Sequence, residues 1–145
     1  MPKVSVIMGI YNCADTLSDA IESIINQTFS DWEIIMCDDG SSDRTLEIAQ
    51  IYAEKYDKIR VYKNEKNMGL NFTLNHCLKY VTGQFVARMD GDDISLPERF
   101  EKEIDFLMRH PEYAIVSCNM KYFDNQGVFM TGKAKGEPSL DSIVR

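Results

Sequence analysis

The feature that most restricts the fold is an alternation of apolar runs with amphipathic segments along residues 4–89. Near-continuous apolar runs, which predict buried strands, occupy residues 4–10, 32–37, 59–62 and 85–89. Between them, apolar residues recur at helical spacing near residues 17–25, 43–56 and 74–81. Because strands that are apolar at successive positions are typical of parallel sheets, the alternation indicates βαβ crossovers. The sequence therefore predicts an α/β fold, a Rossmann-like and mainly parallel sheet flanked by helices.

The rest of the chain predicts fewer elements. A helix is expected at residues 96–109, with Ser95 and Glu98 forming a capping box at its start. Residues 114–119 are apolar and strand-like, and residues 121–123 and 128–130 flank a turn, which predicts a hairpin. With 145 residues, we expect a single domain over residues 1–145.

Polar residues follow three of the predicted strands at the points where they end. They are Tyr11 and Asn12 after the first strand, Asp38 and Asp39 after the second, and residues 90–93 after the fourth. The carboxyl ends of parallel strands meet at one edge of a sheet, where ligands bind near the switch in strand order. Three such clusters converging on one edge predict a ligand site.

The segment Asp90-Gly91-Asp92-Asp93 places three carboxylates in four residues. Two like charges about 4 Å apart repel by about 4 kcal/mol at an effective dielectric of about 20. A divalent cation would remove this repulsion and leave positions open for phosphate oxygens. The alternative is a polar turn that leads into the next helix. A calcium-binding loop is excluded, because Ile94 and Ser95 stand where a ligand and a glycine are needed.

The residue types at these strand ends suit a nucleotide. An aromatic ring such as that of Tyr11 offers a flat face to a nucleobase, and Asp39 can accept from a base N–H or a ribose hydroxyl. The Asp90–Asp92 loop can hold a cation across a diphosphate. Structural alternatives are a hydrophobic contact at the helix entry for Tyr11 and a helix N-cap for Asp38 and Asp39. Asn12 or Asp15 is expected to cap the first helix.

Several other classes are excluded or disfavoured. The sequence has neither the G-x-G-x-x-G of dinucleotide-binding proteins nor a P-loop. A net charge of -7 argues against a nucleic-acid partner bound through a broad basic surface. The four cysteines form no C-x-x-C pair, which favours a reducing, cytoplasmic setting. No stretch approaches the ~20 apolar residues of a transmembrane helix.

Four motifs together resemble glycosyltransferase family 2. They are VSVIMGIYN at residues 4–12, EIIMCDDGSSDRT at 33–45, NMG at 67–69 and GQFVARMDGDD at 83–93. The sequence of residues 88–100 is similar to that of family members found in bacterial capsule and exopolysaccharide gene clusters. The resemblance implies the GT-A fold and a nucleotide-sugar donor, with UDP the expected nucleotide. It also implies Mn²⁺ or Mg²⁺ as cofactor.

The resemblance also implies roles for individual residues. It places the donor site at Gly9, Tyr11, Asn12, Asp38, Asp39, Asp90 and Gly91. Tyr11 would stack near uracil, Asp39 would hydrogen-bond the base, and Asp38 would support that loop. Asp90 would face the ribose or the metal-bound diphosphate, and Asp92 would be the principal metal ligand.

Two departures from the family pattern are Gly9 where proline is usual and Leu74 where many members carry arginine. The family's general base is a carboxylate well downstream of Asp92, and we expect it beyond Arg145, in a longer enzyme. The reaction expected is inverting transfer of a sugar from a UDP-sugar to an acceptor hydroxyl in polysaccharide biosynthesis.

The expected acceptor is a saccharide or a lipid-linked saccharide, and the expected location is the cytoplasm or the inner face of the membrane. Apolar residues at 114–116 and 128–130 are expected to be uncovered, so association into a homo-oligomer is a further expectation. One rival is a pyrophosphorylase-like nucleotidyltransferase, which needs a glycine-rich, arginine-containing loop where GIYNCADT stands. The other is a non-catalytic sugar-nucleotide sensor or protein-interaction module.

Overall fold

The computed structural model of the chain describes residues 3–132. The chain divides into two compact units, Met1–Phe100 and Glu101–Arg145. The first unit alternates strands and helices as predicted. In chain order its elements are β1 (Val4–Ile10), α1 (Leu17–Ile25), β2 (Trp32–Asp38), α2 (Thr45–Lys55), β3 (Ile59–Lys63), α3 (Leu70–Leu78) and β4 (Phe85–Arg88), with α4 (Arg99–Arg109) starting at its end.

The four strands of the first unit form one parallel sheet in the order β3-β2-β1-β4. Val4 at the start of β1 pairs with Trp32 of β2 on one side and with Phe85 of β4 on the other. The chain therefore adds strands on one side of β1 and then crosses to its other side. The strand order reverses between β1 and β4, which is where α/β sheets place their ligands.

The core of this unit lies around the two central strands. All seven residues of β2 are buried, as are six of the seven of β1. Helix α1 packs its apolar face inward through Leu17, Ala20, Ile21 and Ile24. Burying each large aliphatic side chain contributes about 1.5–3 kcal/mol, so the central strands and α1 supply most of the rigidity beneath the strand ends.

Strand β4 differs from the prediction of a buried strand. Its residues alternate between half-buried and exposed, and Val86 is 49% exposed. Among the described residues it pairs only with β1, so it is an edge strand with one face open. The apolar run at residues 85–87 indicated a strand correctly but not its position in the sheet.

The second unit contains the predicted hairpin, formed by β5 (Met120–Asp124) and β6 (Gly127–Gly132). Its turn is closed by Asp124, whose Oδ1 accepts a hydrogen bond from the nitrogen of Gln126 at 2.8 Å. The strand predicted at residues 114–119 is wrong, because residues 115–119 have no regular structure and no strand pairs with them in the described chain. The hairpin residues Val128, Phe129 and Met130 are 51–66% exposed.

Among residues 3–132, no helix combines the length and hydrophobicity needed to cross a bilayer. The single domain expected over residues 1–145 stays a prediction.

Candidate functional site

A cleft of about 460 Å³ opens at the carboxyl ends of β1 and β4, where the strand order reverses. Its lining comes from the loop after β1, the loop after β4, and single residues of the neighbouring segments. The lining residues are Gly9, Tyr11, Asn12, Cys13, Ala14, Asp15, Thr16, Asp43, Leu70, Asp90, Gly91 and Asp92. Of the predicted site residues, only Asp38 and Asp39 lie outside this lining.

The loop after β1 is joined by hydrogen bonds to the loop after β2 and to the first residue of α2. The backbone nitrogens of Asn12, Cys13 and Ala14 donate in turn to Ser41 Oγ at 3.0 Å, Thr45 Oγ1 at 2.8 Å and Asp43 Oδ2 at 3.1 Å. Asn12 has a positive φ of 47°, a conformation that asparagine tolerates better than most residues. The motif at residues 41–45 therefore shapes the β1 loop.

The side chain of Asn12 also forms a hydrogen bond with the loop after β2. Its Oδ1 accepts from the backbone nitrogen of Ser42 at 2.8 Å. The expected cap of α1 by Asn12 or Asp15 is wrong, because the helix begins after Thr16 without a side-chain capping bond. Asn12 thus contributes to the cleft by fixing the backbone that follows Tyr11.

Tyr11 and Gly9 form the β1 side of the cleft. Tyr11 is 49% exposed, so part of its surface is free to contact a ligand. A Cβ added to Gly9 would lie 2.9 Å from Cδ1 of Leu70, closer than side chains approach one another. The glycine therefore allows Leu70, from the start of α3, to lie against the end of β1.

Asp38 lies beneath the loop after β2, where it is 2% exposed. Its Oδ2 accepts from the backbone nitrogens of Gly40 and Ser41 at 3.2 and 3.1 Å. Its Oδ1 is buried and has no hydrogen-bond partner among the described residues. The carboxylate shapes the turn from which Ser41 reaches Asn12.

Asp39 is buried against the segment that links β3 to α3. Its Oδ1 accepts from Asn64 Nδ2 and the nitrogen of Met68, and its Oδ2 accepts from the nitrogen of Gly69, each at 2.8 Å. Burial raises the pKa of this carboxyl, but the three hydrogen bonds outweigh it and hold the pKa below its usual value. The structure places Asp39 as an anchor for residues 64–69, and its contact with a base stays a prediction.

The acidic loop carries Asp90 and Asp92 on either side of Gly91. Asp90 is paired with Arg88, whose Nε and Nη2 donate to its two oxygens at 3.1 and 3.0 Å. Gly91 is buried, and a Cβ there would lie 2.8 Å from Cys13 Sγ. Asp92 is exposed and makes no hydrogen bond or ion pair with any residue that the structure describes.

The carboxylates of this loop repel one another. Burial and the neighbouring charges of Asp92 and Asp90 raise the pKa of Asp93, and the cations Arg99 and Arg88 offset this only in part. A proton on Asp93 and a bound cation are two ways to relieve the same repulsion. The cation is the stronger of the two, because it interacts with several carboxylates at once.

The residues of the loop fit a divalent metal held jointly with a ligand. Within the described part of the chain, no three His, Cys, Asp or Glu side chains cluster as a metal-binding group. Asp90 and Asp92 supply hard carboxylate oxygens of the kind that Mg²⁺ and Mn²⁺ prefer. Mg²⁺ is commonly bound by one or two carboxylates, with substrate phosphates and water completing its shell.

Some residues that shape the site were missed by reasoning from the sequence. Arg88 pairs with Asp90, and Gln27 bonds the segment at the start of α4. The capping box predicted for Ser95 is wrong, because α4 begins at Arg99 and the buried Ser95 Oγ has no partner among the described residues. No local pattern marks Gln27, since its partners lie about 70 residues away along the chain.

Comparison with known proteins gives one family. The model of "Glycosyl transferase family 2" matches residues 5–141. The chain is 52% identical over 128 residues to the putative glycosyltransferase EpsE of Bacillus subtilis (strain 168), covering 88% of this chain and 46% of EpsE. It is 36% identical over 107 residues to WfgD of Escherichia coli, named as a UDP-Glc:alpha-D-GlcNAc-diphosphoundecaprenol beta-1,3-glucosyltransferase, covering 74% of this chain and 42% of WfgD.

The structure also resembles a solved protein. S. aureus TarS 1-349 in complex with UDP-GlcNAc matches with a TM-score of 0.69 and 31% identity, over 75% of this chain and 32% of that one. The chain thus spans less than half the length of EpsE and WfgD and about a third of that structure.

Proposed function

The chain belongs to glycosyltransferase family 2 and has the GT-A fold, and we propose that its cleft binds a UDP-sugar with Mn²⁺ or Mg²⁺. In this proposal the chain is the donor-binding part of an inverting glycosyltransferase. The observation that carries it is the convergence of Tyr11 and Asp90–Asp92, about 80 residues apart, on one cleft at the strand-order switch.

The uracil ring of UDP would lie on the β1 side of the cleft. Tyr11, which is partly exposed, and the apolar Leu70 both line the cleft there. Asp39 would act on the base either directly or by holding residues 68 and 69 through their backbone nitrogens. The UDP-GlcNAc complex of TarS supports the choice of UDP, since that protein shares the fold at 31% identity.

The diphosphate would lie toward the loop after β4. Asp92, which makes no hydrogen bond or ion pair with another described residue, would be the principal metal ligand, and Asp90 the second. When bound, the metal neutralises charge on the diphosphate and so favours its departure from the sugar. In this arrangement Asp90 would face the cation in place of Arg88, and the Arg88 guanidinium would then be free to face phosphate.

The acceptor would be a saccharide or a lipid-linked saccharide in polysaccharide biosynthesis. The printed name of WfgD, which acts on a diphosphoundecaprenol-linked sugar, supports the lipid-linked form. Transfer with inversion requires a base that removes the proton of the acceptor hydroxyl as that oxygen attacks the anomeric carbon. A cytoplasmic location, at or near the inner membrane face, accompanies this proposal.

Nucleotide selectivity tests the proposal. Calorimetric titration of the chain with UDP and CDP in the presence of Mn²⁺ is expected to rank UDP first, because uracil offers an N3–H that cytosine lacks. Equal binding of CDP and UDP would contradict the assignment of the base. Release of UDP from a UDP-sugar by the chain would separate a transferase from a non-catalytic module that only binds the nucleotide.

A further inference from the structure

Polar side chains at the start of helix α1 and within it form hydrogen bonds with the acidic loop and the segment that follows it. Thr16 Oγ1 donates to the carbonyl oxygen of Gly91 at 2.9 Å. About two helical turns further along the chain, Ser23 Oγ accepts from the backbone nitrogen of Ser95 at 3.0 Å. These contacts hold the loop at two points, four residues apart in sequence.

Gln27, just past the end of α1, makes the most extensive of these contacts. It is 7% exposed, and its Nε2 donates to the carbonyl oxygens of Leu96 at 2.8 Å, Ser23 at 3.1 Å and Ser95 at 3.4 Å. Its Oε1 accepts from the backbone nitrogen of Phe100 at 3.1 Å. The orientation of the amide follows from these partners, because the reverse orientation would set its NH₂ group against the N–H of Phe100.

The same amide thus serves two helix ends. It satisfies a free carbonyl at the end of α1 and a free N–H in the first turn of α4, groups that have no partner within their own helices. The backbone nitrogen of Thr28 adds a bond to the carbonyl of Pro97 at 2.9 Å. Between these anchors, residues 92–94 are exposed, so the position of Asp92 is set by the anchors on either side.

We propose that Thr16 and Gln27 are positioning residues that hold the Asp90–Asp93 loop for a divalent cation bound with a nucleoside diphosphate. The inference rests on the proposed function. Neither side chain needs to touch the cation. Thr16 fixes the backbone between Asp90 and Asp92, and Gln27 fixes the segment that follows Asp93. Groups that orient metal ligands from behind typically change metal affinity by about 10–100-fold when they are removed.

The experiment compares UDP affinity measured with Mn²⁺ and with EDTA, since the ratio isolates the contribution of the metal. Gln27→Met keeps the length of the side chain and removes all its hydrogen bonds. We expect the ratio to fall by about tenfold while UDP affinity in EDTA stays unchanged. Asn26→Met is the matched control, since it removes an exposed amide one position away, and it should keep the wild-type ratio.

Thr16 gives a second test that does not depend on the folding of the Gln27 variant. Thr16→Val replaces the hydroxyl with a methyl group and should lower the ratio, whereas Thr16→Ser keeps the hydroxyl and should restore it. A wild-type ratio in both Gln27→Met and Thr16→Val, or an equal loss with and without metal, overturns the positioning role. If the wild-type chain itself shows no effect of Mn²⁺ on UDP binding, the proposed function fails, and the positioning inference fails with it.

Discussion

The Oδ2 atom of Asp39 accepts a hydrogen bond from the backbone nitrogen of Gly69 at 2.8 Å, which joins the end of β2 to the start of α3. Because the other oxygen accepts from Asn64 and Met68, the carboxylate satisfies three donors in a buried position. The hydrogen bond to Gly69 also positions Leu70 at the cleft, because Leu70 directly follows Gly69.

Substitution of Asp39 by asparagine should therefore destabilise the fold. The amide keeps one acceptor oxygen but turns an NH₂ group toward a backbone N–H, which leaves a buried donor without a partner. The expected loss is about 1–3 kcal/mol in the free energy of unfolding, measured by urea denaturation. Asp57→Asn, the same change at an exposed position, should have no measurable effect. Equal stability of the two variants would contradict the anchoring role.

Acid should lower the stability of the fold by protonating Glu33, which lies at the amino end of β2. This buried carboxylate accepts from Ser5 Oγ at 2.6 Å and from Thr82 N and Oγ1 at 3.0 and 2.8 Å, and it pairs with Arg60. Burial raises its pKa, but the hydrogen bonds from Ser5 and Thr82 and the charge of Arg60 lower it more, so the folded-state pKa lies below the ordinary value.

A carboxyl with a depressed folded-state pKa contributes stability at pH values above its unfolded-state pKa, which is about 4.3 for glutamate. That contribution is lost as the pH falls through the folded-state value. The unfolding free energy of the wild-type chain should thus decrease below about pH 4. Glu33→Gln should be less stable at neutral pH and show a shallower decrease. Glu54→Gln, an exposed control, should follow the wild-type curve, and an identical curve for Glu33→Gln would refute this role.

The exposed surface of Tyr11 predicts a contribution to base binding. Tyr11→Ala should weaken UDP binding by about 1–3 kcal/mol, the usual contribution of stacking between a base and an aromatic side chain. Tyr11→Phe keeps the ring and should bind UDP like the wild-type chain. Calorimetry distinguishes these outcomes, and a loss in Tyr11→Phe as large as in Tyr11→Ala would assign the effect to the hydroxyl.

The sequence predicted the parts of this molecule that depend on local pattern. Runs of apolar residues located the four strands of the sheet, and the polar residues after them indicated where a cleft would form. The pattern could not show that β4 is an edge strand, because exposure depends on which strand pairs with it. For Ser95, the predicted capping box does not form because α4 starts only at Arg99, where the distant Gln27 accepts from the backbone N–H of Phe100.

The local sequence pattern also could not predict the roles of Asp38 and Asp39 at the end of β2. Their position at the end of a strand predicted a place at the ligand edge, whereas the structure puts both at the carboxyl end of β2 but outside the lining of the cleft. Their partners come from residues 40–41 for Asp38 and from residues 64–69 for Asp39. Such partners are set by how the connecting segments pack, which no spacing within residues 33–45 records.

The central claim is that Asp92 binds a divalent cation together with a nucleoside diphosphate. Its most direct test is calorimetric titration of the chain with UDP in Mn²⁺ and in EDTA, for the wild type and for Asp92→Asn. We expect tight binding in Mn²⁺ and much weaker binding in EDTA for the wild type, and weak, metal-independent binding in Asp92→Asn, with Asp57→Asn as the unaffected control. Equal affinity of the wild-type chain with and without Mn²⁺ would contradict the claim.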